Sequence, residues 1–140
     1  MSFKIMTLLS LVFISGCQEK AKPVIKRNST LQIPIECMQL NSLLSDNALH
    51  SHLNGLYNFT DNCPLILSLS YKKDIACNSS YNAMSKNMGK FPKSFLKLEL
   101  RQGMEVVYSY YVDLYSNVDE DDIEEGFLQL KKDLLEDKHE

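Results

Sequence analysis

Residues 95–115 read FLKLELRQGMEVVYSYYVDLY and form the clearest structural signal in the chain. Leucines alternate with charged side chains before the glycine, and apolar side chains recur at every second position after it. Two alternating runs around a glycine turn predict a β-hairpin. One face of its second strand should carry Val106, Tyr108, Tyr110, Val112 and Leu114. The hairpin therefore has an apolar face to bury.

The segments before the hairpin predict a strand, a helical region and a second strand. Residues 31–35 alternate apolar and polar, and Pro34, which lacks a backbone donor, confines this strand to a sheet edge. The apolar spacing of residues 38–57 predicts one bent helix or two short ones, with Asp46 available as a cap. Residues 65–71 predict a strand with its leucines on one face.

Residues 119–137 predict an amphipathic helix whose apolar stripe is Ile123, Phe127, Leu130 and Leu134. Acidic residues crowd its start, as the helix dipole favours, so a charged helix start explains them better than a calcium loop does. Residues 72–93 show no sustained period, apart from an expected short helix near 81–88. These elements together predict an α+β domain: an antiparallel sheet of three or four strands, with the N-terminal helical region and the C-terminal helix packed on one face.

The N-terminus has the anatomy of a secretory signal peptide. Lys4 precedes an apolar stretch over residues 5–14, and Ser15 and Gly16 provide the small residues of a cleavage site. The stretch is too short to span a bilayer, which takes about 20 apolar residues.

Ile14-Ser15-Gly16-Cys17 resembles the lipobox of bacterial lipoproteins. The resemblance implies cleavage before Cys17, a diacylglycerol on its thiol and a fatty acid such as palmitate on its amine. Gln18 is not the aspartate associated with inner-membrane retention, which implies the outer membrane with the domain facing the periplasm. The expected organisation is a signal peptide over 1–16, a lipid-anchored flexible tether over 17–30 and a single α+β periplasmic domain over 31–140.

The other three cysteines, Cys37, Cys63 and Cys77, are an odd number in an oxidising compartment. At most one internal disulfide bond can form among them. Cys63 and Cys77 flank a predicted strand, which would hold them too far apart unless the chain bends after it. We favour Cys37–Cys77 or Cys63–Cys77, and Cys37–Cys63 remains open.

Catalytic, metal and cofactor signatures do not emerge from the sequence. His50 and His52 are two residues apart, so a helix would point them in different directions and a metal site is not expected. The chain has no glycine-rich phosphate loop or nucleophile elbow, so we expect no enzyme and no small-molecule cofactor. A net charge of −3 with scattered basic residues argues against nucleic acid.

The best candidates for a recognition surface are Tyr108, Tyr110, Tyr111 and Tyr115, because tyrosine is enriched at interfaces. The simpler interpretation is that the first two are core and the others cover the outer face of the sheet.

In size, anchoring and element order the chain resembles small outer-membrane assembly lipoproteins and secretin pilotins, and the resemblance is architectural. It implies a non-catalytic accessory factor that binds another envelope component. One alternative is a periplasmic inhibitor or immunity protein whose loop within 72–93 enters a partner. Another is a secreted disulfide-bonded glycoprotein, because Asn28, Asn58 and Asn78 each begin a glycosylation triplet.

Overall fold

Five strands and two helices make up the part of the chain that the computed structural model describes, residues 20–41, 47–76 and 91–136. The strands are β1 (Val24–Arg27), β2 (Gln39–Leu40), β3 (Leu65–Lys72), β4 (Ser94–Gln102) and β5 (Glu105–Leu114). The helices are α1 (Ala48–Gly55) and α2 (Glu120–Leu134). Neither of these helices is long and apolar enough to cross a membrane.

The strands form one mixed sheet in the order β1-β5-β4-β3-β2. Only the β2–β3 pair is parallel, and the other pairs are antiparallel. The α+β class is confirmed, but the predicted count of three or four strands is wrong. The two strands at the edges have four and two residues. Strands this short show no clear alternation, and they form because a longer neighbour supplies their hydrogen bonds.

The hairpin of β4 and β5 is confirmed, with Gly103 in the turn at a φ of 60°. Its register shifts once, because Leu100 pairs with Tyr108 while Arg101 pairs with Val106. Val107 is the extra residue of this β-bulge. Val107 is therefore only 2% exposed, whereas Val106 is 38% exposed. The prediction that Val106 shares the buried face of the strand is wrong for this reason.

The sequence predicts a flexible tether over 17–30, whereas the described part of that segment is packed against the domain. Val24–Arg27 pairs with β5 over four residues, and the Ala21 amide donates to the Asp113 carbonyl at 3.3 Å. All four residues of β1 are exposed, and Lys26 and Arg27 place charge on this sheet edge. The ordered domain thus begins before residue 31.

Two elements predicted before β3 differ from the structure. Residues 31–35 are not a strand, and the Ile35 amide donates to the Leu134 carbonyl at the end of α2 (2.8 Å). The described part of the helical region predicted over 38–57, which leaves out 42–46, contains strand β2 and helix α1. Asn47 caps α1, with its side chain accepting from the His50 amide at 2.8 Å. Asp46, the predicted cap, lies outside the described residues, as does the expected helix near 81–88.

Helix α2 is confirmed, and it begins with a capping box formed by Asp119 and Asp122. Its buried stripe contains the four predicted residues, each at most 2% exposed. Gly126 faces the sheet, where an added Cβ would lie 2.9 Å from Cε1 of Tyr110. The missing side chain therefore lets α2 approach β5 closely.

The disulfide bond joins Cys37 to Cys63, with Cα atoms 5.9 Å apart. Both pairings that we favour from the sequence involve Cys77 and are therefore wrong, and the pairing left open is the one that forms. Cys37 lies just before β2, and Cys63 lies just before Pro64 and β3. Strands β2 and β3 pair side by side, which brings the two cysteines together. Sequence spacing could not show this proximity, because it depends on the parallel pairing of two short segments. Cys77 lies outside the described residues.

Candidate functional site

One face of the sheet carries no described helix, and we call it the open face. Its rows follow from the register: Lys26, Ser109 and Glu99 align in one row, and Val24, Tyr111 and Lys97 align in the next. The leucines that alternate with these residues in β4 are buried on the opposite side, where α2 packs. The open face is thus the side of the sheet against which neither described helix packs.

An aromatic pair lies near one end of the open face. The rings of Phe95 and Tyr111 stack with centroids 5.7 Å apart. The Tyr111 hydroxyl donates to Oδ1 of Asp113 at 2.7 Å. This hydrogen bond, together with partial burial, raises the pKa of Tyr111. Both rings are half-buried, so each leaves part of its apolar surface accessible.

Three charged side chains of β4 lie beside the aromatic pair. Glu99 is 13% exposed and accepts from Nε of Arg101 at 2.7 Å. Its other carboxylate oxygen contacts the Lys97 ammonium. Burial alone would raise the pKa of Glu99, but the hydrogen bonds from Lys97 and Arg101 outweigh it and lower the pKa. The centre of the open face therefore holds an ionised carboxylate between two cations.

Replacing Glu99 with glutamine is expected to lower the free energy of unfolding by about 1 kcal/mol at pH 7, because the pair is partly exposed and screened by solvent. The folded-state pKa of Glu99 lies below its ordinary value, so the ion pairs stabilise the fold above that value. Their contribution is lost as the pH falls through the folded-state pKa. Urea unfolding should thus show a smaller difference between wild type and variant near pH 3 than at pH 7.

The matched control is Glu36→Gln, which neutralises an exposed glutamate. It should shift the unfolding energy far less than Glu99→Gln at pH 7. A Glu99→Gln difference that stays constant across this pH range would contradict the assigned ion pairs.

The four tyrosines predicted as a recognition surface do not lie together. Tyr108 and Tyr110 are 0% and 3% exposed and belong to the core. The Tyr108 hydroxyl donates to Oδ2 of Asp133 at 2.9 Å, and burial raises the pKa of Tyr110 to about 12. Tyr111 lies on the open face, and Tyr115 is half-buried just after β5. The prediction of a recognition surface is therefore wrong for Tyr108 and Tyr110, because the alternation of side chains along β5 places both on the buried face of the sheet.

The two histidines of α1 contact different parts of the fold. Nε2 of His50 lies 3.0 Å from the Asn41 carbonyl, and Nε2 of His52 lies 2.9 Å from Glu124 on α2. A groove of about 440 Å³ runs beside His50 and the last residues of β3. Within the described ranges, no group of three or more His, Cys, Asp or Glu residues is placed to hold a metal ion.

Lys20 makes a contact that sequence reasoning missed. Its ammonium lies 2.8 Å from Asp122 and 2.8 Å from Glu125, both on α2. Partial burial works against the charged ammonium, but the hydrogen bonds to these carboxylates outweigh it and raise the pKa of Lys20. The sequence analysis also missed strand β1, which follows Lys20 in the chain. The β-branched pair Val24-Ile25 could have indicated this strand, but the charged residues around the pair obscure that signal.

The comparisons with known proteins do not assign the chain to a family. No protein-family model, no curated protein and no solved structure matches it. Cys17, the predicted lipidation site, lies outside the described residues.

Proposed function

We propose that this chain is a non-catalytic lipoprotein of the bacterial outer membrane that binds another envelope protein through the open face. The anchor is inferred from Ile14-Ser15-Gly16-Cys17. The observation that supports a binding role is the aromatic pair of Phe95 and Tyr111 beside two cations, on a face of the sheet that neither described helix covers. Tyrosine, phenylalanine and arginine are enriched where proteins bind one another.

The charges of the open face favour an acidic partner. Lys26, Lys97 and Arg101 project from it, and Glu99 is the carboxylate that Lys97 and Arg101 share. Asp113 accepts a hydrogen bond from the Tyr111 hydroxyl, which leaves it less available to a partner. A partner with carboxylates around an apolar centre would thus complement this face in charge and polarity.

The disulfide bond is consistent with the proposed compartment. Disulfide bonds persist in the periplasm and in secreted proteins, whereas cytosolic thiols are kept reduced. The Cys37–Cys63 bond therefore supports export of the domain, which is the step that the predicted signal peptide would direct.

A photo-crosslinking amino acid at Lys97 tests the binding face in intact cells. The matched control replaces Lys132, an exposed lysine on α2. We expect position 97, but not 132, to form an adduct with a membrane-fraction protein. That adduct should weaken when Arg101→Glu reverses a charge of the open face. Equal crosslinking from both positions, or an adduct unchanged by Arg101→Glu, would argue against the open face as the binding site.

The anchor is tested in parallel by the intact mass of the mature chain and by Cys17→Ala. We expect an acylated Cys17 and loss of the variant from membranes. A soluble partner captured equally well by Cys17→Ala would favour the inhibitor or immunity role. An unmodified Cys17 together with hexoses on Asn28, Asn58 or Asn78 would favour a secreted glycoprotein.

A further inference from the structure

Lys20 is the first described residue, and it is fixed to the domain at one end of the sheet. Its ammonium lies within 2.8 Å of both Asp122 and Glu125 in the first turns of α2. Asp122 is 5% exposed, so this contact is made against the body of the domain. The next residue, Ala21, donates its amide to the Asp113 carbonyl near the end of β5. The chain is therefore held by two elements just after the proposed anchor.

Two residues lie between Cys17 and Lys20, so three Cα–Cα steps join them. A fully extended chain of that length spans at most about 11 Å. The tether expected over 17–30 would instead let the domain reach about 40 Å from the bilayer. With Lys20 held on α2, the end of the sheet that contains Asp113 cannot move far from an acyl chain on Cys17.

The register identifies which residues share that end of the sheet. Asp113 pairs with Phe95, and Phe95 pairs with Lys72, so these three residues form one row across β5, β4 and β3. Glu105, next to the hairpin turn, lies at the other end of β5, eight residues before Asp113. At the rise of a strand, that separation is about 26 Å. Met104 in that turn is 93% exposed.

We propose that the lipoprotein stands end-on at the membrane, with the row Asp113, Phe95 and Lys72 next to the headgroups and the hairpin turn furthest from them. This orientation rests on the proposed acylation of Cys17. In this orientation the strands run roughly along the membrane normal, and the open face points sideways. The periplasmic part of a neighbouring membrane protein can therefore reach it.

The charge at the proposed membrane end is mixed. Lys22, Lys72 and Lys93 are exposed there and favour anionic headgroups. Glu120 and Asp121 at the start of α2 are exposed as well and oppose them. Chain connectivity, rather than charge, therefore determines the proposed orientation. Lys20 is engaged by Asp122 and Glu125, so it is not free to bind headgroups in the way its position near the anchor suggests.

The absence of tryptophan from the chain permits a direct test. Mature acylated protein, which begins at Cys17 and carries Lys72→Trp or Met104→Trp, is placed in vesicles of phosphatidylethanolamine and phosphatidylglycerol with a trace of dansyl-labelled headgroup. Energy transfer from the tryptophan to dansyl falls steeply with distance. We expect energy transfer from the tryptophan at position 72 to be at least roughly tenfold faster than from position 104, because the two positions lie about 26 Å apart along the strands. Equal transfer, or faster transfer from position 104, would overturn the orientation.

Lys20→Gln tests the origin of the orientation. This variant removes the contact with Asp122 and Glu125 but leaves the Ala21 amide on the Asp113 carbonyl, so the ratio of the two transfer rates should fall without reaching one. Lys132→Gln, a change elsewhere on α2, should leave the ratio intact. A ratio unchanged by Lys20→Gln would overturn the role of the Lys20 contact in setting the orientation.

Intact mass separates the two proposals. An unacylated Cys17 would overturn both the anchor and the orientation. An acylated chain whose two probes report equal transfer would overturn the orientation alone.

Discussion

Replacing Phe127 with alanine is expected to lower the free energy of unfolding by about 3–5 kcal/mol. Phe127 is 2% exposed, and its ring centroid lies 6.1 Å from those of both Tyr57 and Phe59. Truncation removes the burial of the ring and leaves a cavity between α2 and the segment that follows α1. A loss of this size is a large part of the stability of a small domain. Urea unfolding followed by circular dichroism measures it.

The neighbouring residue on the same helix provides a matched control. Leu128 is 61% exposed, so Leu128→Ala should change the unfolding energy by about 0.5 kcal/mol or less. Both variants place alanine in α2, so their helix propensities are comparable. Similar effects of the two substitutions would contradict the assigned packing of α2 on the core.

Reducing the Cys37–Cys63 bond is expected to lower the free energy of unfolding by about 3 kcal/mol. The bond closes a loop with a sequence separation of 26, and the open chain gains conformational entropy when unfolded. The Cys17→Ala form is suited to this measurement, because it contains no lipid that could interfere. Urea unfolding with and without dithiothreitol gives the difference.

The double variant Cys37→Ala/Cys63→Ala separates loss of the bond from other effects of the reductant. Its unfolding energy should not respond to dithiothreitol. Peptide mapping of the oxidised protein should recover the fragments containing Cys37 and Cys63 as one linked species. A linked fragment containing Cys77 instead would contradict the pairing in the structure.

The long elements could be predicted because their apolar periodicity is a local property. The hairpin of β4 and β5, strand β3 and helix α2 each repeat a pattern over seven or more residues. The bulge at Val107 was missed because alternation continues through it in the sequence. A single extra residue is decided by the pairing of two strands, which periodicity in one strand cannot show.

The candidate site was predicted only in part. Tyr111 lies on the open face as a surface tyrosine, whereas Tyr108 and Tyr110 are core residues. Phe95 lies on the neighbouring strand β4, so no spacing in the sequence indicates its stack with Tyr111. Lys20 was assigned to a flexible tether because its neighbours are polar. Its fixed position depends on carboxylates about one hundred residues later in the chain.

The sequence by itself determined the class of fold, the central hairpin and the closing helix, and it predicts the anchor at Cys17. Each of these depends on residues close together in the chain, either as a hydrophobic period or as a short motif. Only the tertiary structure decided the edge strands, the Cys37–Cys63 pairing and the contact of Lys20 with α2. Those features join segments distant in sequence, and their energies arise from pairing and packing that exist only once the sheet has formed.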